Sequence, residues 1–598
     1  MAEKQKLRSE IEEKYKWDLS PIYNCNENWY KDLEVVSKEV EKVLDYKGKL
    51  LNSAKSLLEY LEFSIKLERK LYKLYYYAHL NFDADTTNND YQQMSGKIQN
   101  LLAKYNELDS FSNPEMMKVD YEVVKKFYEE EPKLKEYEFV LEQIYRYKDH
   151  ILTEEQESLL SAFSNINSIP EEAFEALTDS DIKFGFIKDE NGNEVELTES
   201  NYSNFIESEN RDVRKRTFNQ LLGTYSNYKN TIAKTFSGNV EVLTTLSKLK
   251  NFNSSLEASL FSDNIERKVY DNLIDTVSNG LDTLYKYFDL KKNVLGLDEF
   301  HLYDQYNSLV PDCDKKYSFE EAKKIVLESL SVLGKDYVEI LNKAFNERWI
   351  DVYNNKGKRT GAYSSGFYDT NPYILLNYEG KFGDVSTLAH ELGHSVHTYY
   401  SCHNNPYQYS HYKIFVAEVA STVNELLLKL YMLKNSHDKN EKKYIINVMM
   451  NSFKSTIFRQ TMFAEFERDV HALKEKGEIL TNEALSNYYY ELNKKYFGPN
   501  VVVDDVIRYE WERIPHFYYD FYVYKYAIGL SCACYIVDNI LNKKENALED
   551  YKKFLKSGGS DYPANELKIA GIDITSGEVI TSAIKMFDDL IEQFKSLD

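Results

Sequence analysis

The chain has 598 residues, with 97 Asp and Glu against 74 Lys and Arg, a formal net charge of −23. That balance excludes an extended nucleic-acid surface, which needs clustered Lys and Arg, and no run approaches the roughly 18 apolar residues of a membrane span. Ten prolines and 22 glycines leave little for linkers, while 51 tyrosines and 31 phenylalanines supply a large core.

In chain order, the opening MAEKQKLRSEIEEKYKWDL is charged throughout and lacks the apolar stretch of a secretion signal. Five scattered cysteines (Cys25, Cys313, Cys402, Cys532, Cys534) suit a reducing compartment, so a cytoplasmic location is expected. Cys532 and Cys534 read as buried free thiols. From about residue 27 to 165 apolar residues recur at helical spacing, as in Leu57, Leu58, Leu61 and Leu67, Leu71, Leu74, and predict an N-terminal helical region. Asn113-Pro114 and Ile169-Pro170 punctuate it. Phe184 to Ile187 and Val195 to Leu197 flank Asn191-Gly192 and predict a hairpin. Helices resume to about residue 348. Residues 359–379 break the period: Gly361 to Phe367 reads as a strand or loop, and Pro372 to Tyr378 as a buried strand. An exposed edge there would accept an extended peptide as one more strand; a purely structural sheet is the alternative. The expected fold class is mostly α, with this small β-sheet next to the helix that follows.

That helix, Gly383 to His397, contains His390-Glu391-Leu392-Gly393-His394. Residues four apart on a helix share one face, so both histidines can grip one cation, and the intervening glutamate can act on a water at the metal. A zinc ion lowers the pKa of such a water to roughly 7. Leu388, Leu392 and Val396 form the buried stripe, Asp384 is the expected N-cap, and Gly393 suggests a close neighbour. Catalytic zinc takes three protein ligands. His397 lies seven residues, about 10.5 Å of helix rise, beyond His390, too far to share the ion, and is expected to pack nearby. Glu418, 24 residues after His394 within an apolar stretch, is the expected third ligand, the alternative being that it faces solvent; Glu425, two turns later on the same face, is either a partner for a ligand histidine or an exposed residue. Further on, residues 510–526 offer His516 and several phenols as candidate donors to an oxyanion; an aromatic cluster of the core is the alternative reading. Long helices run to the end, broken at Gly498-Pro499 and Gly558-Gly559.

Together, His390 to His394, Glu418 within Phe415 to Ser421, and Ile514-Pro515-His516-Phe517-Tyr518-Tyr519 resemble the oligoendopeptidase F branch of the thimet-oligopeptidase family of zinc peptidases. Trp17 to Tyr23, Arg459 to Glu467 and Phe497-Gly498-Pro499 extend the resemblance over nearly the whole chain. It implies two helical lobes around a deep substrate channel with one zinc ion at its floor. The expected division is 1–110, an N-terminal helical region; 111–200, an oligoendopeptidase F-type N-terminal domain ending in the hairpin; and 201–598, the zinc peptidase catalytic domain. It also implies endopeptidase activity on short oligopeptides. By matching position, His390, His394 and Glu418 would be ligands, Glu391 the general base and acid, and His516 the transition-state histidine. The thimet branch has a glycine-rich loop after that histidine; this chain has Phe517-Tyr518-Tyr519-Asp520 instead, so Tyr519, Tyr522 and Tyr524 all stay open for the oxyanion role. The rival readings are a peptidyl-dipeptidase or carboxypeptidase, for which no carboxylate-binding cation stands out, a hydrolase of other amide-like substrates, and a non-catalytic helical binding protein.

Overall fold

The computed structural model describes residues 5–311 and 315–597; Cys313 and the first four residues lie outside it. Helices predominate, and the few strands form two- and three-stranded sheets. No helix among the described residues is long and apolar enough to cross a membrane. Two compact units are present, each assembled from three segments: Met1–Asp149, Asp314–Leu428 and Asn539–Gly571 in the first, and His150–Cys313, Lys429–Asp538 and Ile572–Asp598 in the second.

In the first unit, helix Ala54–Ala84 starts where the Ser53 hydroxyl accepts the Ser56 N–H, and Asn88 caps helix Asn89–Asp109 in the same way. Leu57, Leu67, Leu71 and Leu74 bury one stripe of the longer helix, each contributing roughly 1.5–3 kcal/mol over exposure. Trp29 donates its indole N–H to the Leu74 carbonyl at 2.8 Å and locks the preceding helix onto that stripe. The three-stranded sheet has Tyr373–Leu375 at its centre, parallel to Ile350–Asp351 and antiparallel to Tyr363–Ser365. All three central residues are buried, as their unbroken apolar run requires, while Tyr363–Ser365 is an edge strand of intermediate exposure.

In the second unit, Phe186–Lys188 pairs antiparallel with Glu194–Glu196 around the Asn-Gly turn, where Gly192 takes φ +82° and Asp189 Oδ1 accepts the N–H groups of Asn191 and Asn193. A buried carboxylate, Asp304, is held by Arg214 at 2.8 Å and Arg211 at 2.9 Å. Cys532 and Cys534 are buried free thiols on helix Tyr524–Leu541.

Candidate metal centre

Helix Phe382–Asn404 carries the two histidines. Asp384 is not its N-cap. Asp384 stands inside the first turn and reaches back, its Oδ2 accepting the N–H of Lys381 at 2.8 Å and of Glu379 at 3.0 Å, so the helix begins three residues earlier than the side chain suggests. Leu388, Leu392 and Val396 are buried on the face away from the histidines.

Gly393 sets the spacing to the next helix, Ile414–Asn435. A Cβ there would lie 2.6 Å from Ser421 Cα and 2.7 Å from the Ala420 carbonyl oxygen. The two backbones therefore touch, which no larger residue permits. A second clamp holds the contact: Asn424 donates to the Ala389 carbonyl at 3.0 Å and accepts from the Tyr337 phenol at 2.8 Å.

This close approach delivers Glu418 to the histidines. His390 Nε2 and His394 Nε2 are 3.2 Å apart, and Glu418 Oε2 lies 3.4 Å from the first and 3.6 Å from the second. Zinc bonds of about 2.0–2.2 Å put neighbouring corners of a tetrahedron about 3.3–3.6 Å apart. The donor triangle fits that ion. Ser421 donates to Glu418 Oε2 at 3.0 Å and fixes the carboxylate. Glu425 Oε1 lies 2.6 Å from His390 Nδ1 and Oε2 accepts from Ser386 at 3.2 Å. A proton on Nδ1 facing Glu425 leaves the Nε2 lone pair for a metal.

The electrostatics follow from this crowding. Burial opposes charge on His390, but Glu425 outweighs it and holds that imidazole above its ordinary range. Burial, with His390 beside it, pushes His394 down to about 4. Glu391 is 6% exposed; burial pushes its carboxyl up to about 7, against the pull of His390 and the Ser364 N–H. His397 is no ligand: it is buried, stacked on Tyr412 with centroids 3.6 Å apart, and burial pushes it down to about 3.

The second unit holds the other candidates. His516 is half-buried in the turn Pro515–Tyr518, and burial lowers its pKa. Tyr519 is 44% exposed with its ring 5.5 Å from His516. Tyr522 packs edge-on against Tyr526 at 5.3 Å. Tyr524 does not share this environment: its side chain is buried in the core, 5.0 Å from the Tyr270 ring, which removes it from the oxyanion candidates. A further phenol beside His516 is Tyr526, whose hydroxyl lies 3.4 Å from His516 Nε2. Its spacing, four residues after Tyr522 at the start of helix Tyr524–Leu541, was the available signal, obscured by the abundance of tyrosine around it.

Between these groups Asp520 and Phe521 both take left-handed conformations, φ +50° and +57°, which in L-residues cost roughly 1–2 kcal/mol each. The turn is held by two bonds: Glu467 Oε1 accepts the Phe521 N–H at 2.7 Å, and Ser259 donates to the Asp520 carbonyl at 2.8 Å. Non-glycine residues thus adopt the geometry for which glycines would be the ordinary choice.

Comparison with known proteins gives concordant matches. The model of peptidase family M3 matches residues 204–586, and that of oligopeptidase F matches 115–184. The chain is 44% identical to oligopeptidase PepF of Bacillus subtilis, covering 100% of this chain and 90% of that one. It is 40% identical to the group B oligopeptidase PepB of Streptococcus agalactiae, covering 99% and 98%. The crystal structure of oligoendopeptidase-F from Enterococcus faecium superposes with a TM-score of 0.73 at 34% identity, covering 96% and 99%.

Proposed function

This chain belongs to peptidase family M3 and is a metallopeptidase of the oligopeptidase kind, and from that premise we propose that it is a zinc-dependent endopeptidase hydrolysing internal bonds of short oligopeptides. The observation that carries this reading is the triangle of His390 Nε2, His394 Nε2 and Glu418 Oε2, with sides of 3.2, 3.4 and 3.6 Å. When bound there, one zinc ion per chain supplies Lewis acidity toward a peptide carbonyl and a water molecule. The catalytic domain is assigned to 201–598, the oligoendopeptidase F-type domain to 111–200 and the N-terminal helical region to 1–110; the charge and scattered cysteines favour the cytoplasm.

The residues divide the work. The edge strand Tyr363–Ser365 is assigned to hold an extended peptide as one more strand. Glu391, one position round the helix from His390, takes the proton of the attacking water as its oxygen bonds to the carbonyl carbon. As the carbon–nitrogen bond breaks, Glu391 gives that proton to the departing amine. His516 and Tyr526, with Tyr519 and Tyr522 as further phenols, are assigned to the oxyanion, where a lost donor costs about 10²–10³ in turnover. Glu425 holds the His390 ring in its working tautomer.

The test combines Glu391→Gln with metal removal. Elemental analysis is expected to find zinc retained in Glu391→Gln while kcat falls by about 10²–10⁴; brisk cleavage by that variant sinks the assignment. A chelator should abolish cleavage of peptides blocked at both ends, and mass spectrometry should show internal products. Release confined to dipeptides or single residues from a free C-terminus would favour the rival.

A further inference from the structure

We propose that a tyrosine-walled pocket of the first unit binds a positively charged group of the peptide substrate, its α-ammonium or a Lys or Arg side chain. The proposal deepens the endopeptidase reading and rests on it.

The pocket encloses about 470 Å³, with Glu68 in its wall and the rings of Tyr72, Tyr76, Tyr137 and Tyr407 around it. The acid hangs from helix Ala54–Ala84. Among the described residues its carboxylate has neutral donors: the Tyr105 phenol at 3.3 Å, the Tyr407 phenol and the Ser64 hydroxyl, which is itself tied to Tyr105. Among the described residues no Lys or Arg lines the cavity, and none pairs with Glu68. The adjacent Arg69 is engaged elsewhere, bidentate on Asp369 at 2.5 and 2.8 Å. His411, also on the wall, is kept below its ordinary range by burial. A second carboxylate, Asp109, is close enough to add negative potential.

Even a partly buried carboxylate such as Glu68 is costly without a cation. Burial accordingly raises the Glu68 pKa, and a bound cation restores its charge. The surrounding ring faces attract the same species, since a cation within about 6 Å of a ring centroid gains from the π-system. An anionic or purely apolar group gains neither term.

The placement ties the pocket to the peptide path. Tyr76 stacks on Phe367 with centroids 5.0 Å apart and interplanar angle 11°, two residues past the edge strand, and hydrogen-bonds the Ser365 side chain that ends it. His411 precedes Tyr412, whose ring stacks on His397 of the zinc-binding helix. A peptide lying along Tyr363–Ser365 would run on toward this wall.

The experiment measures peptide binding by calorimetry to the zinc-loaded Glu391→Gln protein, with and without Glu68→Gln. Three peptides of equal length are used: one with a free α-amine and no Lys or Arg, one N-acetylated with a lysine scanned through its positions, and one N-acetylated without lysine. The expected result is that the first or second binds roughly tenfold tighter than the third, as for other desolvated charge pairs. Glu68→Gln should erase that advantage and leave the third peptide unchanged. An advantage of the first identifies the α-ammonium, and of the second a side chain. Tyr72→Leu, at an exposed part of the wall, should weaken the same peptide. Equal binding of all three, or an advantage that survives Glu68→Gln, overturns the proposal. Cleavage of the third peptide by the unaltered protein is scored separately: if it binds but stays intact, the endopeptidase reading fails while the pocket stands.

Discussion

A single proton decides how His390 can serve. With its Nδ1 facing Glu425 at 2.6 Å, the imidazole must present Nε2 toward His394 and Glu418. Loss of that carboxylate frees the ring to rotate or to protonate at the wrong nitrogen. Glu425→Ala is therefore expected to weaken zinc affinity by about 10–100-fold, read by competition with a chromophoric chelator. Glu425→Gln, which can still accept through its carbonyl, should lose less. Equal affinity of all three proteins would show that Glu425 plays no part in ligand orientation. His397 illustrates the opposite case: three residues after His394, it is kept toward its neutral form by burial and is packed against Tyr412.

Two helices make the centre because one position between them has no side chain. Gly393→Ala would push a methyl carbon to 2.6 Å from Ser421 Cα, and neither backbone can yield cheaply. Such overpacking costs typically about 1–3 kcal/mol, and the displaced helix takes Glu418 with it. The expected outcome is a lowered thermal midpoint together with weakened zinc binding; a variant with unchanged metal affinity would refute the role given to this contact. The turn Tyr519 to Tyr522 depends on a neighbour in a comparable way. Glu467 is fully buried, and burial raises its pKa, outweighing the bond from the Phe521 N–H, a shift toward the neutral acid. Glu467→Gln, isosteric with that acid, should keep kcat within a few-fold, whereas Glu467→Ala should lower kcat more than it raises KM as the turn relaxes. If both variants fall together, the carboxylate does something other than brace the turn.

At the scale of the molecule, two buried carboxylates, Asp304 and Glu510, are matched by arginines. Burial alone would raise the Asp304 carboxyl, but Arg211 and Arg214 outweigh it and hold it below the ordinary carboxylate range. Glu510 is likewise lowered against its burial by Arg459. A folded-state pKa below the unfolded one contributes stability that is complete above the unfolded value of about 4 and is lost as pH falls through the folded value. Asp304→Asn should thus destabilise the protein at pH 7 by about 3–5 kcal/mol, the cost of opening a buried pair. The gap to the unaltered protein should narrow below about pH 4, measured as urea midpoints. A gap that stays constant with pH would mean that packing, not charge, accounts for the loss.

The sequence by itself determined the helical class, the hairpin at Asn191-Gly192, the short strands ahead of helix Phe382–Asn404 and the spacing of His390 and His394. All of these are periodicities or turn chemistries confined to a few neighbouring residues. It also pointed to Glu418, because a carboxylate in an apolar run demands a reason. Tertiary structure alone decided the rest. That Gly393 lets two backbones touch, that Tyr524 is core while Tyr526 lies beside His516, and that no Lys or Arg among the described residues lines the pocket beside Glu68 are facts of contact between distant segments. Local propensity carries no term for such contacts, since the free energy of each depends on which surface the other segment brings.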